Sequence, residues 1–86
     1  MVVGVPEDDM ELTDDEKTLG VQIGHVEVRI AGNQRRIPYK IMPDPDDGSQ
    51  HIIVKRDRDT GELLPELRRG AKRVVERGKD GIWKAI

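Results

Sequence analysis

The sequence predicts an α+β fold: a small antiparallel sheet of three to four strands with one C-terminal helix packed on one face. Three observations predict it. Apolar and polar residues alternate over Val26–Ile30 and again over Ile37–Ile41, the period of a strand with one buried face. A β-branched run, His51-Ile-Ile-Val-Lys-Arg56, follows. Then Leu64, Leu67, Ala71, Val74 and Val75 recur at spacings of three and four, the period of a helix face.

Residues 1–18 are dense in acids and sparse in apolar groups, so they are expected to be a weakly ordered segment preceding a single domain over 19–86. One local signal stands out there. Thr13-Asp-Asp-Glu16 has the spacing of a capping box and allows a single helical turn over 14–19, with Gly20 to end it. From Val21 the period changes to two. Val26, Val28 and Ile30 share one side, and His25, Glu27 and Arg29 the other. Ala31-Gly32-Asn33-Gln34 supplies turn chemistry, and Arg35–Met42 returns as the second strand of a hairpin. Pro38 has no N–H to give a ladder, which places this strand at an edge or Pro38 at a bulge.

Pro43–Gln50 (Pro-Asp-Pro-Asp-Asp-Gly-Ser-Gln) has the composition of a wide loop. His51–Arg56 is a third strand, Asp57–Glu62 a turn with Gly61 at positive φ, and Leu63-Leu64 either a fourth strand or a lead into the helix. Pro65 suits a first helical position, Glu66 complements a helix N-terminus, and Gly78 is a natural stop, giving a helix over 65–78. Gly70 inside it would cost roughly 1 kcal/mol relative to Ala. Ile82, Trp83 and Ile86 form an apolar C-terminal patch that could cover the open end of the core, or meet another copy of the chain.

Composition bounds the function. With 86 residues there is room for one domain and a small core. Hydrophobic residues are 35% and charged residues 37%, with no Phe, so Val, Ile and Leu must supply that core beside Tyr39 and Trp83. The absence of Cys removes disulfides, thiolate metal sites and a cysteine nucleophile. The N-terminal residues do not have the pattern of a signal peptide, and no stretch is apolar enough to cross a membrane. The expectation is a soluble, cytoplasmic protein.

Catalytic groupings are missing. Ser49 is the only serine and sits in a polar loop two residues from His51. Asp44, Asp46, Asp47, Ser49 and His51 could face a hard cation, but they lack the spacing of a calcium loop. His25 is expected outward on its strand. The glycines are scattered, so no phosphate cradle forms. The Asp57–Leu63 turn identifies no family. These readings predict a protein that is not an enzyme, with no cofactor and no metal.

What remains is charge asymmetry. Residues 1–20 carry seven acids and one base, while residues 51–86 carry ten bases and six acids. On the expected helix Arg69, Lys72 and Arg73 cluster, with Arg68 and Arg77 at the margins; Lys55, Arg56 and Arg58 lie just before it. Those eight residues form the expected partner-binding surface. The first reading is a small adaptor that engages another protein through this basic face, or through an exposed edge strand. A second is a nucleic-acid-binding accessory protein using the same residues, against which stand a pI of about 5.6 and the lack of aromatic residues for base stacking. A third is a structural subunit of a larger assembly, for example of a phage, joined through Ile82, Trp83 and Ile86.

Overall fold

In the computed structural model, which describes residues 11–86, the first half of the chain folds largely as its periodicity predicts. A short helix α1 (Asp14–Thr18) is followed by three long strands, β1 (Gln22–Ile30), β2 (Asn33–Asp44) and β3 (Asp47–Arg56). The Thr13–Glu16 capping box is formed at the start of α1. Residues 1–10 of the acidic segment lie outside the described residues. The expected wide loop over 43–50 is instead a tight turn at Pro45-Asp46 between β2 and β3, with the register slipping between Pro43 and Asp44. Short side-chain bonds make this possible: Asp44 accepts from the Asp46 amide and Asp47 from the Ser49 amide and hydroxyl.

The second half overturns the α+β reading. No helix forms over 65–78. The segment makes β4 (Leu63–Pro65), β5 (Leu67–Arg68), β6 (Ala71–Lys72) and β7 (Val74–Arg77), and the chain closes with β8 (Trp83–Ala85). The physical reason lies in Arg69-Gly70, where both residues have positive φ (54° and 80°). Two such residues in succession make the tight turn that suits hairpin twist. The i, i+3, i+4 spacing is coincidental: Leu64 and Leu67 are 39% and 60% exposed, so no apolar helical face is buried. Gly70 is thus a turn residue. Gly78, expected as a helix stop, belongs to the β7–β8 connection, where its N–H donates to Ile82 O.

Five of the strands pair in a ring. β1 pairs with β2, β2 with β3, β3 with β7 and β7 with β8, all antiparallel, and β8 returns to β1 in parallel through Val26–Trp83 and Glu27–Lys84. β4 pairs with the same edge of β3 as β7 does, farther along. Between them Ile53 holds both: its N–H donates to Arg73 O, and its carbonyl accepts from Glu66 N–H. β4 and β7 therefore form one interrupted strand of the ring, broken where residues 67–72 leave it as a two-stranded hairpin (β5–β6).

Two apolar layers result. Inside the ring Val26, Ile41, Ile53, Val75 and Trp83 are buried, with Val28 and Tyr39 against them. Outside it Ile52, Val54 and Val21 are buried with Leu12, Met42, Leu63 and Val74. β3 is thus buried on both faces, which explains its unbroken Ile-Ile-Val run. Trp83 belongs to the ring interior at 4% exposure, so it is not part of a surface patch; Ile86 is 76% exposed. Gly24 makes room for the indole, since a Cβ there would lie 2.5 Å from Trp83 Nε1.

Glu16 anchors α1 over the outer layer. Its carboxylate is fully buried and accepts from Lys40 Nζ (2.8 and 3.1 Å) and the Thr13 amide (2.9 Å), with Arg56 Nη2 at 3.1 Å. Burial pushes its pKa up, but the bonds from Lys40, Thr13 and Arg56 together hold it down at about 2. Among the described residues no helix is long and apolar enough to cross a membrane.

Candidate binding site on the projecting hairpin

The hairpin β5–β6 carries Leu67, Arg68, Arg69, Gly70, Ala71 and Lys72 away from the ring. Its neck is fixed. The Arg73 N–H donates to Glu66 O (3.3 Å), the Arg73 guanidinium meets the Glu66 carboxylate (3.3 Å), and the same guanidinium lies 5.4 Å from the Tyr39 ring centroid. Its second strand is tied down by Lys72, whose ammonium bonds Asp44 Oδ1 at 2.9 Å and also Asp46 Oδ2. The bond from Lys72, joined by the Asp46 amide, lowers the pKa of Asp44, whereas Asp46 and then Asp44 raise that of Lys72. Asp44 and Asp46, candidates for a cation in the sequence, hold this lysine instead, while Asp47 bonds Ser49.

Against the hairpin lies an open cleft of about 310 Å³, lined by Arg68, Arg69, Lys72 and Arg73 with Val74, Val75, Ala85 and Ile86. Four cationic side chains border an aliphatic floor, and no aromatic ring lines it. Lys72 and Arg73 have their acids. Arg68 and Arg69 form no ion pair with any described residue and are exposed. Along one row of the ring's outer face opposite charges alternate: Glu76 lies beside Lys84, Lys84 beside Glu27, and Glu27 beside Arg36, across four neighbouring strands. The field cancels along that row and does not at the hairpin tip.

The structure thus divides the eight predicted contact residues. It brings Arg68, Arg69, Lys72 and Arg73 into one cleft, on a hairpin and not on a helix face. Arg56 is a brace, bonded to the Glu16 carboxylate and, at 2.7 Å, to Gly61 O. Lys55 lies on β3 opposite Leu64, and Arg58 is exposed in the 57–62 turn. Arg77 lines a different cleft, of about 340 Å³, with Gln22, Gln50, His51 and Trp83; there the imidazole packs at 5.1 Å from the indole.

Sequence reasoning missed the cleft floor and the Asp44/Asp46 brace, because both depend on pairings between distant segments. The signal for the hairpin is present in Arg69-Gly70 between short β-competent runs. Compared with known proteins, the chain matches no family model, no curated protein and no solved structure.

Proposed function

We propose that the chain is a non-catalytic binding module whose projecting hairpin receives an acidic, partly apolar segment of a protein partner. One observation carries the reading: Arg68 and Arg69, unpaired among the described residues, stand beside the aliphatic floor formed by Val74, Ala85 and Ile86. Unpaired guanidiniums attract carboxylates, and an aliphatic floor takes methyl groups but gives a nucleobase no ring to stack on. The positive φ of Arg69 adds nothing to this reading, since Ala31 has the same conformation (φ 51°) in the β1–β2 turn.

The test is a backbone-amide NMR titration with two probes, a synthetic Glu/Leu peptide and generic duplex DNA, each at about 50 and 200 mM salt. Peptide-induced shifts at Arg68, Arg69, Val74 and Ala85 that persist at the higher salt are expected, because apolar contact is weakly screened. The double substitution Arg68→Glu with Arg69→Glu should weaken peptide binding at least about tenfold. Shifts with DNA alone, fading between the two salts, would replace this reading with nucleic-acid binding.

A further inference from the structure

We infer that the open edge of β2 at Gln34–Pro38 is a strand-addition site for an extended, acidic segment of a partner protein. It is a second surface, separate from the hairpin cleft.

The edge follows from backbone pairing. β3 covers only Lys40–Asp44 of β2, whereas β1 runs along Asn33–Ile41. Among the described residues, 33–39 of β2 therefore have a strand neighbour on one side only. Which groups point outward can be derived. Ile53 uses its N–H and carbonyl toward Arg73 and Glu66, so Ile52 and Val54 direct theirs to β2. Lys40, opposite Val54, then points toward β3, and by alternation so do Pro38, Arg36 and Gln34. The two-residue turn Ala31-Gly32 gives the same phase independently, because it makes Ile30–Asn33 a hydrogen-bonded pair facing β1. Among the described residues nothing pairs with the outward N–H and C=O of Gln34 and Arg36, or with the C=O of Pro38. This also explains why a proline is tolerated in the middle of a long strand.

Charge selects the occupant. Arg29 and Arg36 share the outer face where β1 and β2 pair, with Glu27 opposite Arg36, while Arg35 lies opposite Val28 on the other face of the same strand. Asp80, whose pKa is lowered first by the Ile82 amide and then to a lesser degree by Lys84 and Arg36, also lies within reach of the Arg36 charge. A second copy adding antiparallel at this edge would set arginine against arginine, which cross-strand energetics disfavour. An acidic strand meets no such repulsion. The arginines and Pro38 therefore guard the edge against self-pairing while leaving two donors and three acceptors open.

The experiment is amide hydrogen exchange on the whole protein, alone and with a soluble N-acetylated peptide of about eight alternating Glu and Val residues. Alone, Gln34 and Arg36 should exchange fast while Arg35, Ile37 and Tyr39, bonded to β1, are protected. With peptide in the millimolar range, exchange at Gln34 and Arg36 should slow about tenfold or more, with the alternate residues unchanged. Gln34→Pro, which removes an outward N–H only, and Arg36→Glu, which keeps every amide, should each weaken binding about tenfold. Native Trp83 emission would show that either variant is folded. Uniform protection, no protection, shifts confined to Arg68 and Arg69, or wild-type binding by both variants would overturn the inference. Protection that grows with protein concentration in the absence of peptide would do the same, by showing self-pairing.

Discussion

Glu16 is the residue whose surroundings set the acid limit of the fold. Its pKa is depressed from an ordinary 4.5 to about 2 in the folded chain. A depressed carboxylate contributes stability that is complete above its unfolded value and is lost as protons return. The loss should therefore begin below about pH 4.5 and finish near pH 2, amounting to about 3 kcal/mol. Urea midpoints measured across that range would show it. In Glu16→Gln the slope should flatten, and stability at pH 7 should fall by about 3 kcal/mol, because Lys40 keeps its buried charge without a carboxylate. Gly24 sets a steric limit instead. In Gly24→Ala the new methyl would lie 2.5–2.7 Å from Trp83 Nε1 and Cδ1 and from Ile41 Cδ1, all core atoms. Destabilisation of about 2–3 kcal/mol with a shifted Trp83 emission is expected, read by denaturant unfolding.

At the scale of elements, the hairpin β5–β6 is an insert in an otherwise continuous line of pairing along β3. Replacing residues 67–72 by Asn-Gly, which turns tightly between Glu66 and Arg73, should leave unfolding cooperative and Trp83 emission native while abolishing peptide capture. Loss of the folded state would show that the hairpin supports the ring. The same region shows what the sequence could disclose. The strand periods at Val26–Ile30 and Ile37–Ile41, the His51–Arg56 run and the Thr13–Glu16 cap are legible because each is decided locally, by alternation or by a side chain bonding its own turn. Residues 65–78 mislead because their apolar spacing fits a helix as well as two short strands. The burial that separates the two, Val75 inside and Leu67 out, is decided by β3 and β8. The eight basic residues stand out as a group, but their sorting into braces and free charges depends on Glu16, Asp44, Asp46 and Glu66, which no spacing connects to them.

For the whole molecule, closure rests on Trp83. It is the largest member of the inner cluster and the site where the last strand meets the first. Trp83→Ala should cost about 4 kcal/mol, comparable with the whole stability of a domain this size, so the variant is expected to be largely unfolded. A collapsed proton NMR spectrum would show this. A dispersed spectrum with β1 still beside β8 would mean that the backbone pairing closes the ring unaided.

The parallel contact between β1 and β8 has a mechanical meaning as well. Force applied to the two ends of the described chain would draw β1 and β8 in opposite directions along their length. Their rungs, and the indole wedged over Gly24, would be loaded together in shear. An antiparallel pair such as β7 and β8, pulled apart from its open end, would instead unzip rung by rung. A domain with so thin a core can therefore yield readily to urea and still resist being stretched.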